Sequence, residues 1–274
     1  MTVVWINGVV CDDTEARVSP FDHGLLTGDG VFETLKVYGG VPFASTRHLD
    51  RLRVSTSGMG LECPPPAELV EAMSRVIEAN GIDDGRIRIT LTGGVSPLGS
   101  DRGADGQLAV VAAGPLAEWL PSTDVVVVPW PRNERGALSG LKTTSYGENV
   151  VALAYAKERG AGEALFANTV GDLCEGTGSN VFYVVDGRLR TPTLASGCLA
   201  WVTRALLLEL TDADEVDAPV GALAAAEEAF LTSTTREVQP IRAVDGVVLP
   251  AAPGPATTAA AAAFADLVTR DLDP

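Results

Sequence analysis

The sequence contains few of the residues that mark a metal centre or a disulfide-bonded fold. Its 274 residues include only four cysteines and two histidines. The cysteines form no C-x-x-C pair, and the histidines lie in no cluster with the spacing of a zinc site. Disulfide frameworks are typical of much smaller secreted domains. We therefore expect no bound metal, and we expect the cysteines to be small buried hydrophobic residues.

Positive charge and long apolar runs are also scarce. The formal net charge is −16, from 20 basic and 36 acidic residues. Nucleic acid and anionic membranes would be repelled by such a chain, so neither is expected as a partner. No apolar run reaches the roughly 18 residues that a membrane span needs. Residues 1–10 contain no basic residue of the kind that begins a signal peptide. We expect a cytoplasmic protein.

Short strands alternate with helices along the chain, and several neighbouring strands are separated by only two turn residues. Such turns, at Asn7-Gly8, Asp186-Gly187 and Asp245-Gly246, are typical of β-hairpins. Hairpins argue against a purely parallel doubly wound sheet and favour an α+β fold with mixed sheets. A proline-containing stretch indicates a connection between two domains. We predict a small N-terminal domain over 1–115, a connection over 116–123 and a larger domain over 124–274.

Two helices are predicted in the first domain and three in the second. Ser45 or Thr46 is the candidate cap of the first helix, and the second follows Pro64–Pro66. The predicted helices of the second domain are Glu148–Arg159, Trp201–Leu210 and Thr257–Thr269.

Lysine is rare, which makes each of the three lysines informative. Lys36 lies in an amphipathic strand and Lys157 in a helix, and both are expected to face solvent. Lys142 instead lies in a polar loop, residues 140–147, between a buried strand and a helix. Functional residues favour such loops. From the loop alone, an ordinary surface lysine and a reactive lysine are equally good interpretations.

Four further motifs could belong to a binding site or serve only local structure. Glu175 ends a strand at a glycine-rich stretch, where a ligand can approach the backbone closely. The segment Leu199–Arg204 begins a helix, and helix N-termini bind anions. Leu231–Glu237 is a strand end rich in hydroxyl groups. Arg51, in His48–Leu52, could clamp a phosphate or pair with a surface carboxylate.

Together these motifs resemble the fold-type IV pyridoxal-phosphate enzymes. That family includes D-amino acid aminotransferase, branched-chain aminotransferase and aminodeoxychorismate lyase. The resemblance covers nearly the whole chain, and the motifs occur in the family's order and approximate spacing. It implies a two-domain α+β enzyme, with a smaller N-terminal α/β domain and a larger mixed-sheet domain that binds the cofactor. The segments that match are Gly28–Glu33, His48–Leu52, Lys142 with Tyr146, Glu175–Phe182, Leu199–Arg204 and Thr232–Glu237.

The resemblance also implies a role for individual residues. Lys142 matches the lysine that bonds covalently to pyridoxal phosphate and carries protons. Glu175 matches the carboxylate at the pyridine nitrogen, and Leu199 matches the apolar residue packed on the ring. Tyr146 looks like the tyrosine that branched-chain enzymes place near the phenolic oxygen. The residues that match the phosphate-binding set are Arg51, the backbone of Val202, Thr203, Thr234 and Thr235.

The substrate class is less sharply indicated. Gly28–Tyr38, which contains the candidate substrate residues Phe32 and Thr34, is most similar to the D-amino acid enzymes. Their Arg-x-His carboxylate trap is missing after Ser96-Pro97. Arg102, a few residues later, either replaces it or is an ordinary loop residue. Tyr146 points away from the D-amino acid enzymes.

We expect first an aminotransferase acting on D-amino acids and 2-keto acids, with relaxed specificity that extends to primary amines. The alternative is aminodeoxychorismate lyase, which releases pyruvate and 4-aminobenzoate. Thr34 favours it, because the lyases carry a threonine there. A non-catalytic carrier of the cofactor is a third reading, against which the intact pair of Lys142 and Glu175 argues. The resemblance further implies a homodimer.

Overall fold

The computed structural model describes residues 2–104 and 106–274, which divide into two units. The first contains the chain up to Ala117, and also Leu141–Tyr146 and Asp271–Pro274; the second contains Glu118–Gly140 and Gly147–Arg270. The predicted division put all of 124–274 in one domain. The two later segments instead group with the first unit, because their hydrogen bonds are made to one of its strands and one of its helices.

The first unit contains a six-stranded antiparallel sheet in the order β2-β1-β6-β5-β3-β4. The predicted hairpin at Asn7-Gly8 is present, with φ of 43° and 90° at these residues. Positive φ at both positions suits a two-residue turn. The strands are β1 (Val3–Ile6), β2 (Val9–Asp12), β3 (Gly30–Tyr38), β4 (Val41–Pro42), β5 (Gly85–Thr92) and β6 (Leu108–Gly114).

The helices of the first unit are α1 (His23–Leu26), α2 (Ser45–Met59) and α3 (Pro66–Asn80). Proline at the first position of α3 and Gly81 after its end, with φ of 59°, mark its limits. The predicted cap of α2 is wrong. Its N-cap residue is Ala44, which has φ of 53° and makes no side-chain cap hydrogen bond. Ser45 donates to the carbonyl of Pro42 instead.

Alternation along β3 separates the residues that point into the core of the first unit from those on the opposite face. Val31, Leu35 and Val37 point into a core that α2 and α3 cover. Glu33 has the same parity and is fully buried on that side. Phe32 and Thr34 lie on the opposite face of the strand.

The second unit contains a nine-stranded mixed sheet, which confirms the predicted fold class. Its order is β12-β11-β10-β13-β14-β7-β8-β9, with β15 paired to β14. Strand β7 is parallel to both of its neighbours, and the predicted hairpin at Asp186-Gly187 joins β10 to β11. The strands are β7 (Thr123–Val127), β8 (Glu163–Ala167), β9 (Leu173–Gly176), β10 (Asn180–Val185), β11 (Arg188–Thr191), β12 (Asp214–Glu215), β13 (Glu228–Ser233), β14 (Glu237–Val244) and β15 (Val247–Val248).

The helices of the second unit are α4 (Gly147–Glu158), α5 (Val202–Leu210) and α6 (Pro255–Arg270). Buried Glu228, on β13, accepts hydrogen bonds from the backbone nitrogens of Ala256 (2.9 Å) and Thr257 (2.8 Å). The start of α6 is therefore capped from a neighbouring strand. Short 3₁₀ helices occur at Leu194–Ser196 and Val220–Ala225.

Among residues 2–104 and 106–274, no helix is long and apolar enough to cross a membrane. The same residues contain no group of three or more His, Cys, Asp or Glu side chains that could hold a metal ion. Two of the cysteines, Cys174 and Cys198, are buried as predicted. The other two, Cys11 and Cys63, are only half-buried.

Candidate active site

Lys142 belongs to a segment that is hydrogen-bonded to β3. Its carbonyl accepts from the backbone nitrogen of Phe32 at 3.0 Å, and its own nitrogen donates to Ser55 Oγ at 3.1 Å. Thr143 forms a bridge with Val31. These contacts fix the backbone on both sides of the lysine, which is only 3% exposed. The interpretation as an ordinary surface lysine is therefore wrong.

Two aromatic rings surround the amine of Lys142. Its Nζ lies 4.3 Å from the ring centroid of Phe32 and 6.0 Å from that of Tyr146. The rings themselves pack edge to face, with centroids 5.3 Å apart. The segment 141–146 thus brings together the lysine and the tyrosine that the sequence had singled out, beside the predicted substrate residue Phe32.

A buried charged cluster lies between β3 and α2. Arg51 donates to both oxygens of Glu33 at 2.7 Å, and His48 Nδ1 lies 2.7 Å from Glu33 Oε2. Burial alone would raise the pKa of Glu33. The charge and hydrogen bonds of Arg51, with a smaller contribution from His48, outweigh burial and hold that pKa well below its usual range. Burial lowers the pKa of His48.

Arg51 is therefore a buried residue rather than a surface residue, whereas Asp50 beside it pairs with exposed Arg53. The sequence had assigned no role to Glu33 or His48, although both lie in the motifs that carry the resemblance. The spacing of His48 and Arg51 is i, i+3, which places them on one face of a helix and could have identified the cluster.

Arg88 is a further cation near the lysine that the sequence analysis did not select. Thr34 and Arg88 are directly paired across β3 and β5, so both lie on the face that carries Phe32. The guanidinium carbon of Arg88 lies 3.7 Å from the Phe32 ring centroid. Alternation in β5 indicates its side of the strand, but only the strand pairing places it beside Phe32 and Thr34.

Arg102 is bound to the motif at Gly28–Gly30 through Asp29. Its Nε and Nη2 donate to the two oxygens of Asp29 at 2.7 and 2.6 Å. It also donates to the carbonyls of Met59 and Gly60, at the end of α2. The hydrogen bonds of Arg102 lower the pKa of Asp29. A role in binding a substrate carboxylate stays a prediction, and it would require this guanidinium to leave Asp29.

In the second unit, Glu175 is the last residue but one of β9 and is 7% exposed. Its Oε2 accepts from the backbone nitrogen of Leu199 at 3.0 Å and from Trp201 Nε1 at 3.2 Å. Arg132 Nε lies 3.6 Å from Oε1. The interpretation of Glu175 as a solvent-facing residue is therefore wrong. The carboxylate is tied to the segment that begins α5, and nothing in the sequence pointed to Arg132.

Glu175 has a buried thiol beside it in the sequence, and Leu199 has another. Burial raises the pKa of Cys198 to about 11, and the nearby charge of Glu175 adds to this. Burial raises the pKa of Cys174 as well. Both thiols therefore stay protonated at neutral pH and act as small apolar residues.

A second buried carboxylate fixes the glycine-rich turn after Glu175. Glu163, on β8, accepts from the backbone and hydroxyl of Thr177 and from Ser179 Oγ. It also accepts from Arg236 Nη2 at 2.9 Å. Glu163 thus joins the glycine-rich turn to the hydroxyl-rich segment that contains Arg236. It went unnoticed in the sequence because it lies outside every motif.

The beginning of α5 and the hydroxyl-rich segment both provide donors for an anion. Trp201, the N-cap residue, makes no side-chain cap hydrogen bond with the described residues. Thr203, in the first turn, is buried, as is Thr234, whereas Thr235 is half-buried. The hydroxyl of Thr232 is buried and has no hydrogen-bond partner among the described residues. Unpaired buried groups of this kind are uncommon and suit a ligand.

Comparisons with known proteins agree on one family, but the relatives that match carry the names of several different activities. The model of the family "Amino-transferase class IV" matches residues 30–244. A putative branched-chain-amino-acid aminotransferase of Methanocaldococcus jannaschii is 32% identical over 90% of this chain and 89% of its own length. Aminodeoxychorismate lyase of Bacillus subtilis is 30% identical, with 94% and 92% covered. D-alanine aminotransferase of Staphylococcus haemolyticus is 29% identical, with 90% of both chains covered.

A solved structure gives the same result for the fold and names the cofactor. The branched-chain amino acid aminotransferase of T.th., solved with pyridoxamine 5'-phosphate, superimposes with a TM-score of 0.92 at 27% identity. The match covers 98% of this chain and 94% of that one. On these matches and the fold described above, the chain belongs to the class IV aminotransferases, which use pyridoxal phosphate.

Proposed function

We propose that the protein transfers the amino group of a branched-chain or similar aliphatic amino acid to a 2-keto acid, with Lys142 as the lysine that bonds to pyridoxal phosphate. The observation that carries the proposal is the placement of Lys142. It is a buried amine on a fixed backbone, between the rings of Phe32 and Tyr146. The other lysines lack this setting, since Lys157 is exposed and Lys36 lies over the ring of Tyr38.

The chemistry of the residues present fits the cofactor. Lys142 offers the amine, and Glu175 offers a buried carboxylate for the pyridine nitrogen. The start of α5, with Val202 and Thr203, offers backbone N–H groups and a hydroxyl for the phosphate. The unpaired buried hydroxyl of Thr232 lies in the adjoining hydroxyl-rich segment. The further phosphate ligands that we propose are Arg51, Thr234 and Thr235, and Leu199 is the proposed contact of the ring.

Each proposed residue has a distinct task. Lys142 Nζ removes the proton from the substrate Cα and carries it to its new position. Glu175 holds the proton on the pyridine nitrogen. The cofactor, when bound, supplies the electron sink for the charge that the Cα proton leaves behind. Phe32 and Tyr146 form an apolar wall beside Nζ, which suits an aliphatic side chain and keeps water away from the amine.

The branched-chain class is supported by Tyr146 and by the relatives. Tyr146 is the position at which the sequence resembles branched-chain enzymes rather than D-amino acid enzymes. A curated relative and a solved structure, matched over most of both chains, carry the branched-chain name. Neither of these names assigns a substrate to this chain, so the class is part of the proposal.

D-amino acid transamination, which the sequence analysis favoured, is the second candidate. The similarity of Gly28–Tyr38 and the match to D-alanine aminotransferase support it. The bonding of Arg102 to Asp29 speaks against it, because that arginine was the candidate replacement for the missing carboxylate trap. The third candidate is lyase activity, which is supported by Thr34 and by the match to aminodeoxychorismate lyase.

One set of assays distinguishes the three activities. The purified protein, loaded with pyridoxal phosphate, is incubated with 2-oxoglutarate and either L-leucine, L-valine or D-alanine, and glutamate is measured. A parallel sample receives aminodeoxychorismate, and 4-aminobenzoate is measured. We expect glutamate from the L-amino acids at a rate at least about ten-fold above that from D-alanine, a difference of about 1.4 kcal/mol in the activation barrier.

The opposite ratio would replace the branched-chain class with the D-amino acid class. Release of 4-aminobenzoate without glutamate from any amino acid would establish the lyase. The Lys142→Ala variant is the control, because loss of the amine should abolish whichever of the three activities is observed.

A further inference from the structure

Arg132 has a half-buried side chain that the proposed reaction does not yet use. Its guanidinium carbon lies 4.1 Å from the centroid of the Phe166 ring. Its Nη1 donates to Glu148 at 3.0 Å, and its Nη2 donates to Asn149 Oδ1 at 2.8 Å. Three groups from β8 and α4 therefore hold the guanidinium in place.

The remaining nitrogen of this guanidinium lies close to Glu175. Arg132 Nε is 3.6 Å from Glu175 Oε1, and it has no hydrogen-bond partner among the described residues. Leaving an N–H buried without a partner is costly. The carboxylate of Glu175 is the charged group that the structure places beside this unpaired nitrogen.

A comparison with the hydrogen-bonded pair of Arg51 and Glu33 shows the effect of this longer distance. Arg51 donates to both oxygens of Glu33 at 2.7 Å, so its hydrogen bonds occupy an acceptor position on each oxygen of that carboxylate. Arg132 instead places a positive charge beside Oε1 without donating to it. A cation at this range favours the ionised carboxylate, and it does not itself occupy an acceptor position of that oxygen.

We propose that Arg132 is a positioning residue for Glu175: it keeps the carboxylate ionised and oriented to accept the N–H of the pyridinium ring. The inference rests on the proposed function, in which Glu175 is the partner of that nitrogen. Arg132 touches neither the cofactor nor the substrate in this role. It acts through the charge and orientation of Glu175.

The test compares two ligands that differ only at the ring nitrogen. Cofactor-free protein is titrated with pyridoxal phosphate and with the analogue in which carbon replaces the pyridine nitrogen. Wild-type protein should prefer pyridoxal phosphate. The Arg132→Gln variant should reduce this preference by about ten-fold, a coupling typical of a buried charge beside a hydrogen-bonded carboxylate. The affinity for the analogue should change by less than about two-fold, since it makes no such bond.

Two further variants distinguish the effect of the positive charge of Arg132 from an effect on the stability of the fold. Arg132→Lys keeps the positive charge, so its preference should lie between those of wild type and Arg132→Gln; it also provides the measurement if Arg132→Gln does not fold. Glu148→Gln removes the negative charge of one partner of Arg132 but keeps a side-chain oxygen that can accept from Nη1. Arg132 should therefore stay beside Glu175, and the preference should stay at the wild-type value.

The possible outcomes are distinguishable. If Arg132→Gln weakens the binding of both ligands equally, Arg132 only supports the fold. If the preference for pyridoxal phosphate over the analogue is unchanged, Arg132 has no influence on Glu175. Either result overturns the inference and leaves the proposed function intact. A wild-type protein that binds the two ligands equally well would instead overturn the proposed role of Glu175, and the inference with it.

Discussion

Two buried glutamates of this chain are each paired with an arginine, and this pairing governs how single substitutions at these positions act. Glu33 is paired with Arg51, and Glu163 is paired with Arg236. Removing one member of such a pair leaves the other charge buried, which typically costs about 3–5 kcal/mol. A substitution at these positions therefore tests the fold and the site together, and each needs a control that separates the two effects.

Lys142→Ala is expected to abolish covalent attachment of the cofactor. The substitution removes the only amine that the proposal places at the reacting carbon, whereas the phosphate contacts remain. Borohydride reduction of cofactor-loaded protein, followed by peptide mapping, should label wild type at Lys142 and should leave the variant unlabelled. Lys157→Ala is the matched control and should label like wild type. Labelling of the Lys142→Ala protein at another lysine would overturn the assignment.

Arg51→Ala is expected to lower both stability and cofactor retention. It leaves the carboxylate of Glu33 buried with His48 as its remaining partner, so a loss of about 3–5 kcal/mol in unfolding free energy is expected. Loss of a phosphate contact should also weaken cofactor binding by about ten- to a hundred-fold. Denaturant unfolding and dialysis measure the two effects.

Arg53→Ala is the control for this variant, because Arg53 lies two residues along the same helix and its side chain is 70% exposed. Its change in unfolding free energy should stay within about 0.5 kcal/mol. If Arg51→Ala and wild type lose cofactor equally fast on dialysis, the assignment of Arg51 as a phosphate ligand is wrong.

At the scale of elements, the start of α2 depends on a residue more than two hundred positions away. Asp273 accepts hydrogen bonds from the backbone nitrogen of Thr46 at 2.8 Å and from its hydroxyl at 2.6 Å. The carbonyl of Leu272 accepts from the nitrogen of Ala44 at 2.7 Å. The negative charge also suits the positive end of the helix dipole. Since α2 carries His48 and Arg51, residues 271–274 support the helix that forms the charged cluster.

Asp273→Ala is expected to destabilise the first unit by about 1 kcal/mol, the usual cost of losing a helix cap. The measurement is urea unfolding of the variant beside Asp84→Ala, which changes an exposed aspartate of the same unit. The control should differ little from wild type. Matching losses in the two variants would show that net charge, rather than capping, is responsible.

Most elements follow from local sequence signals, and the exceptions have distant partners. The three two-residue turns lie between paired strands as predicted, because positive φ at both positions is easiest for Asn, Asp and Gly. Helix α3 begins at proline and ends at glycine for equally local reasons. The cap of α2 could not be predicted, since Thr46 bonds to Asp273 rather than to a neighbour in sequence.

At the scale of the whole molecule, protonation of buried groups links stability to pH. The pKa of His48 is lowered by burial from its usual value of 6.5. The unfolded chain therefore binds this proton more readily, and stability is lost as pH falls below about 6.5. The pKa of Glu33 is lowered from 4.5, so its contribution is also present at neutral pH and is lost at more acidic pH.

We expect the unfolding free energy to fall as pH is lowered from about 7.5 to 5.5. His48→Gln replaces the titrating group with an amide that can still donate to Glu33. Its stability should depend less steeply on pH in this window, by at most about 1.4 kcal/mol per pH unit. Denaturant unfolding at several pH values gives both slopes. Parallel slopes for wild type and variant would exclude His48 as the responsible group.

The sequence by itself determined the family and the α+β class, and it selected Lys142 as the candidate for the lysine that bonds to the cofactor. These depend on local patterns, such as turn residues, strand alternation and motifs in a fixed order. Such patterns can be recognised in the sequence without knowing the fold. Lys142, Glu175 and Arg51 could be selected in this way because each lies inside such a motif.

The tertiary structure alone decided which groups surround those residues. Arg132 reaches Glu175, and Glu163 reaches Arg236, across 43 and 73 positions of sequence. Segment 141–146 joins the first unit because its backbone bonds to β3, which no local pattern encodes. Side-chain charges and backbone hydrogen bonds act through distance in space, so their partners become known only when the chain is folded.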